Sequence, residues 1–314
     1  MNFFSPAVQR IATIILLCLA SALPSPAQDG FGGNATGGSG GATVTAKSAE
    51  EFQAYVNSPE NLIVLVEGTL RIGIANVTSH KTIAGVDKTS TLIGNLFIGS
   101  AAQNIIIKNL NVTNPMSKKG KGGGDGITIR GGKLVWITHC TFFDCGDGCI
   151  DVTEGADWVT VSWSKFYFTN QPKHRFTMLA VGRDKNRKKQ KVKSRLRITL
   201  HHNWWAEKCD SRMPSVTRAE VHLYNNYFRC AGNSYCTNVR AGAELLSQNN
   251  FYEGVNNPSY AEEDGKMKTE GNIYEKCSGK AENKNDDVFS PPYAYTLDKT
   301  KHVPVLVQEG AGVR

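Results

Sequence analysis

From residue 62 to about 275 the chain is a succession of short apolar, β-branched runs broken by polar or glycine-containing turns. LIVLVEG, KTIAGV, NIIIKNLNV, GITIRG, LRITLHHNWW and ELLSQNNFY are typical. Some alternate apolar and polar positions and others are continuously apolar, the patterns of half-buried and fully buried strands. No helical period separates them, which excludes a doubly wound α/β fold. A polar residue followed by two large ones recurs at Thr141, Ser164, Asn203, Asn226, Asn250 and Asn272. The steps between them are 23, 39, 23, 24 and 22 residues, so one insertion interrupts an otherwise steady period. A period of this length with several strands per repeat predicts an all-β solenoid, the competing reading being a sandwich with coincidental spacing. Stacked repeats would place the asparagines in a hydrogen-bonded ladder with the aromatics piled beside it.

Outside this region the pattern changes. Residues 48–58 predict a short helix, with Ser48 as N-cap, Glu51 three positions on, and Phe52 and Val56 one turn apart. The glycine-rich stretch 28–42 has no apolar period and reads as a flexible linker. Residues 1–27 carry one charge, Arg10, then an apolar run shorter than a membrane span and the small-residue stretch SALPSPA. They predict a secretory signal, leaving 28–314 as a single exported domain without a membrane span.

The net charge of +8 becomes +7 once Arg10 is removed, which suits an acidic partner. Export makes nucleic acid a poor candidate and an acidic polysaccharide a good one. Seven cysteines follow the signal (140, 145, 149, 209, 230, 236 and 277), an odd number with no zinc-ligand spacing. Cys230 and Cys236 are close enough in sequence for a local bridge. Loop insertions on a solenoid collect on one face, and two stand out: 115–126, and the basic segment 182–195, which would steer a polyanion or simply be a solvated loop. The sequons at Asn34, Asn76 and Asn111 matter only in a glycosylating host. His139, His201 and His202 read as core or ladder residues rather than catalysts.

Three acids fall at the ends of strand-like runs about one repeat apart: Asp125 in GGGDGITI, and Asp147 and Asp151 in DGCIDVT. Each DG alone would be ordinary turn chemistry. Stacked together, the carboxylates would repel unless a cation joined them, and hard oxygen ligands on loops open to an acidic substrate favour calcium.

At SRMPSVTRAEVHLYNNYF (211–228) the sequence resembles the pectate lyases of the parallel β-helix superfamily. GFGGNATGGSGG, KTIAGV, NIIIKNL, DGITI, VWITHC, DGCIDVTEGADWVTVSW, HHNWW and the C-terminal PPYAYTLDKTKHVPVLVQEGAGVR extend the likeness over the whole mature chain. The resemblance implies a right-handed parallel β-helix with a short N-terminal capping helix. It implies a secreted, monomeric lyase that cleaves α-1,4-polygalacturonate (pectate) by calcium-dependent β-elimination, giving unsaturated oligogalacturonides. Asp125, Asp147 and Asp151 would hold Ca2+, and Arg212 would be the catalytic base. A substrate-binding cation is expected within 172–182, where Lys173 and Arg175 are both candidates.

Three positions depart from the family pattern. Gly123 stands where some members have a fourth acid, and Thr138 replaces the aspartate of VWIDH. The second family arginine falls on Thr217, with Arg218 adjacent; on a regular strand Arg218 would face the other way unless a bulge re-aimed it. In galacturonate the C5 proton is only weakly acidic, so a cation on the adjacent carboxylate and a base are both needed. Arginine has an ordinary pKa above 12, which cationic neighbours lower, so activity is expected at alkaline pH. Arg212 as a plain carboxylate clamp is the alternative role. A pectin lyase would lack the acid cluster. A polygalacturonase would need paired carboxylates across the scissile bond. A non-catalytic pectin-binding protein would keep the basic groove but not need Arg212 and the three aspartates.

Overall fold

The computed structural model of the chain describes residues 30–115, 124–169, 174–182 and 196–314. The expected signal segment, Lys173, Gly123 and most of the basic insertion lie outside the described residues. The β-rich runs coil into a parallel β-helix. One face stacks ten strands from Ala42–Ala46 to Lys266–Glu270. The other two are joined through the long strand Thr91–Ile98, whose first half pairs with Asn111–Thr113 and whose second half pairs with Ile127–Arg130. The second face runs on through Thr141–Phe143, Lys165–Tyr167, Trp204–Trp205, Tyr227–Phe228 and Phe251–Glu253 to Ile273–Glu275. The third runs through Gly148–Thr153, Phe176–Val181, Ser215–Thr217 and Thr237–Arg240 to Ser259–Ala261.

Register converts the sequence period into columns. On the first face Ile83, Ile107, Ile137, Val161, Leu200 and Leu223 fall directly above one another and are fully buried. Branched side chains suit this pleated, closely stacked interior. The expected asparagine ladder is present at the corner before the second face. Asn203, Asn226 and Asn250 are each fully buried. The Oδ1 of each lower residue accepts from the backbone N–H of the one above at 2.8–2.9 Å, from Asn203 through Asn226 and Asn250 to Asn272. Asn203 Oδ1 in turn accepts from the Ser164 N–H at 3.0 Å. Beside it Phe142, Phe166, Trp205, Phe228, Tyr252 and Tyr274 stack with centroids 4.3–5.6 Å apart.

Helix α1 (Ala49–Asn57) forms where expected, with the Ser48–Glu51 capping box closed and Phe52 and Val56 in the interior. The glycine-rich segment is not a linker. From residue 30 it lies flat on the first face. The Phe31 and Gly32 N–H groups donate to Thr199 and Thr160, the Thr36 N–H to Asn104, and the Gly38 N–H to Thr82. Glycine is required because the backbones nearly touch: a Cβ on Gly38 would stand 1.9 Å from the Leu62 carbonyl oxygen, and one on Gly41 1.8 Å from that of Asn61. Composition alone looks the same for a flexible tether and for close backbone contact. A second helix, α2 (Val303–Gly310), was not anticipated; it buries Val303 and Val307 against Tyr227 and Phe251 of the second face.

Asn226 makes the ladder testable. Its amide also donates to the Leu200 and Tyr224 carbonyls. Truncation would take the acceptor from the buried Asn203 N–H and a donor from both carbonyls, of which Tyr224's keeps the His202 N–H; a buried polar group left unpaired costs about 1–3 kcal/mol. Asn226→Ala is expected to lower unfolding free energy by about 3 kcal/mol in denaturant titration, and Asn272→Ala, at the half-buried end, by clearly less. Equal losses would contradict a cooperative ladder.

Candidate active site

The expected acids and Arg212 lie along the third face. Asp125 precedes Ile127–Arg130, and Asp151 lies on the neighbouring strand in register with Thr128. Both carboxylates flank Gly148: a Cβ there would sit 3.3 Å from Asp125 Oδ1 and 3.6 Å from Asp151 Oδ1. Asp125 Oδ2 accepts from the Thr128 hydroxyl at 3.0 Å, whereas its Oδ1 is buried and closes no regular hydrogen bond, the Gly148 backbone lying nearest to the carboxylate. Asn95 and Asn114 fix the turn by donating to the Asp125 carbonyl at 3.0 and 2.9 Å, and Asn95 also reaches Thr128. Asp147 stands at the exposed edge, 3.7 Å from His174 Nδ1. Among the described residues no three acidic, histidine or cysteine side chains close into a metal cage of their own. The acids form a cluster open to solvent, beside a cavity of about 460 Å³ lined by Asn95, Asn114, Asp125, Thr128 and Arg130.

Electrostatics show how tightly the acids are coupled. Burial pushes Asp125 up to about 6, with Asp147 adding to the rise. Burial, then the charges of Asp125 and Asp147, push Asp151 up to about 7. Arg212 opposes both shifts, which places its positive charge within reach of both carboxylates. Arg212 owes its position to a bulge. Phe176 pairs with Ser211 but Leu179 pairs with Ser215, so the Arg212 strand holds one extra residue. Arg212 itself has φ +60°. Its carbonyl accepts from the Met178 N–H and the Thr177 hydroxyl, and its guanidinium lies 4.2 Å over the Phe176 ring. Backbone strain and a stacked side chain thus fix one arginine on the acid face.

The other expected residues divide. Arg175 is turned to Asp210, with 3.6 Å between Nη2 and Oδ1. Arg218 occupies the corner after Ser215–Thr217 at φ +49°, with its backbone against Gly182. Thr217 is met from the next strand by Arg240, its register partner, whose Nε donates to Oγ1 at 3.4 Å. Thr138 is on the first face, and its hydroxyl retains local bonds to Ser162 and His139. His139 and His202 sandwich Trp163, the ladder role expected of them. Sequence reasoning missed Asn95, Asn114, His174 and Arg240. Their only signal was polar character, Asn95 within a strand and the others at or next to strand ends.

A family model described as pectate lyase matches residues 5–303. The chain belongs to the pectate lyase family. Pectate trisaccharide-lyase of Bacillus licheniformis is 31% identical over 303 residues, covering 90% of this chain and 84% of that protein. Probable pectate lyase A of Aspergillus flavus is 33% identical over 276 residues, covering 84% and 80%. Among solved structures, a pectate lyase from Bacillus sp. N165 in complex with trigalacturonate superposes with a TM-score of 0.74 at 25% identity, covering 91% of this chain and 98% of that one. The family is one of polysaccharide lyases, and the chain is an enzyme of that class.

A raised carboxylate pKa means that the folded state holds its proton to higher pH than the unfolded chain. Stability therefore falls as pH rises from about 4, through the Asp151 value of about 7, and the penalty is complete above it. In chelator at pH 8, Asp151→Asn is expected to be more stable than the parent by about 2 kcal/mol, discounting the full shift for relaxation. The gain should vanish near pH 4. A destabilised Asp151→Asn at pH 8 would show that the cluster is not repulsive.

Proposed function

We propose that the chain is a secreted, calcium-dependent pectate lyase that cleaves α-1,4-polygalacturonate by β-elimination. The observation that carries this reading is the pairing on one face of an outward arginine, fixed by a bulge, with three mutually repelling aspartates. The residues fit calcium. The buried Asp125 Oδ1, the flanking Asp151 oxygen and the exposed Asp147 are hard oxygen donors, and the exposure of Asp147 leaves coordination positions for substrate carboxylates. When bound, calcium would neutralise the acids and withdraw charge from the substrate carboxylate, making the C5 proton more acidic.

The remaining roles belong to the chain. Asp125, Asp147 and Asp151 would hold the cation, with Thr128, Asn95 and Asn114 keeping Asp125 in place. Arg212, in its deprotonated form, would take the C5 proton at a guanidine nitrogen. The electrons left at C5 form the C4–C5 double bond as the C4 oxygen departs with the leaving chain. Phe176 beneath the guanidinium limits its rotation. Arg240, at the place where the family's second arginine is absent, would bind a neighbouring carboxylate, and Arg218 and Lys173 remain substrate-binding candidates. Arg175 would serve more by ordering Asp210 than by direct contact. Residues 1–27 would be removed on export, leaving a monomer. Among the described residues no helix is long and apolar enough to cross a membrane.

The test is ultraviolet absorbance of polygalacturonate incubated with the mature protein at alkaline pH. Elimination creates a conjugated double bond, so absorbance should rise with calcium and stop on adding chelator. Activity should decline below pH 7 as protons compete for Asp151 and then Asp125. Arg212→Ala should lower kcat by on the order of 10²–10⁴. Reducing ends without absorbance would mean hydrolysis, and binding without either would mean a non-catalytic pectin-binding protein.

A further inference from the structure

Cys145 and Cys149 bracket Asp147 in one turn, and both are fully buried. The seven cysteines described are present as thiols. Gly126 explains how these two fit together. The Ile127–Ile150 register sets Gly126 beside Cys149 on adjacent rungs, about 4.8 Å apart. A Cβ on Gly126 would stand 3.2 Å from the Cys145 sulfur and 3.0 Å from the Cys149 carbonyl oxygen. The space of the missing side chain is therefore where Cys145 Sγ lodges, next to Cys149. The two thiols are within hydrogen-bonding reach of one another. Between them the turn makes backbone bonds: Gly146 N–H to the Asn114 and Gly124 carbonyls at 2.9 and 3.1 Å, a long 3.4 Å contact from Asp147 N–H to Gly124, and the Gly148 carbonyl accepting from the Gly126 N–H at 3.2 Å. Asp147 itself is mostly exposed, and its carboxylate lies 3.7 Å from His174 Nδ1, itself half-exposed.

We propose that Cys145 and Cys149 form a disulfide in the mature protein, closing the turn and holding the Asp147 carboxylate toward Asp125 and Asp151. The bond does not depend on the lyase reading; its consequence for calcium does. Chemically, one thiolate attacks a low-molecular-weight disulfide such as oxidised glutathione, releasing one thiol and leaving a mixed disulfide. The second cysteine displaces the other thiol, so two protein S–H bonds become one S–S bond and the glutathione disulfide becomes two thiols. Both sulfurs are sealed in the finished rung, so the bond is made before that rung closes. Cys209, whose sulfur contacts the Phe166 carbonyl at 3.3 Å, is the nearest competitor along the same interior.

The experiment refolds the full mature chain in a glutathione redox buffer, then denatures it with N-ethylmaleimide and digests it with trypsin without reduction. The peptide 134–165 contains Cys140, Cys145 and Cys149. The expected product carries one label, on Cys140, and is two hydrogens lighter than the dithiol form. Three labels, or a cross-link to the peptide bearing Cys209, would overturn the pairing. Calcium titration of the oxidised and phosphine-reduced protein then reads the consequence. Reduction should weaken calcium binding about tenfold, the scale of losing support behind a ligand. The lyase rate should return at saturating calcium, which an unfolded chain would not show. Equal affinities would overturn the positioning role. Absence of lyase activity in both forms would count against the proposed function and leave the labelling result standing.

Discussion

Parallel pairing at one-rung spacing is the constraint on which everything else in this molecule depends. Each residue has its structural equivalent about 4.8 Å above and below, so whatever the sequence repeats is stacked whether or not the side chains attract. Where they attract, the result is stability: asparagines share hydrogen bonds from Asn203 to Asn272, and rings lie flat on one another from Phe142 to Tyr274. Where they repel, the result is a cluster of carboxylates with raised pKa values. Asp125 and Asp151 are brought to either side of Gly148 by the same register that aligns the core isoleucines.

The balance between the two is visible in the charges. The interior columns are apolar and the asparagine ladder is satisfied. In the acid cluster, by contrast, burial and neighbouring carboxylates push two acids to about 6 and about 7. Arg212 relieves part of this, but only because an extra residue in its strand and a positive φ turn it outward. Buried repulsion of this kind is what a bound cation would relieve.

Much of the fold was legible because it follows from period. The 22–24-residue spacing of Asn203, Asn226, Asn250 and Asn272 anticipated both the ladder and the ring stack, and Ser48 with Glu51 anticipated α1. The three aspartates stood out as acids beside strand-like runs; the structure puts Asp151 within Gly148–Thr153, Asp147 just before that strand, and Asp125 on the adjacent rung. What stayed hidden depends on which rung faces which. Arg240 reaches Thr217 because of a register that no linear spacing announces. Asn95 and Asn114 support Asp125 from other strands. The glycines of residues 30–41 were misjudged because their role is close contact with Thr82, Thr160 and Thr199, far away in sequence.

The central claim is that the aspartates form half of a cation site that an acidic substrate completes. Its most direct test is calcium titration calorimetry of Arg212→Ala protein, which keeps the acids without turnover, in the presence and absence of trigalacturonate. Weak binding by the protein alone and roughly tenfold tighter binding with the oligosaccharide are expected, a coupling of ordinary size between two ligands. The same calcium affinity with and without trigalacturonate would contradict the claim.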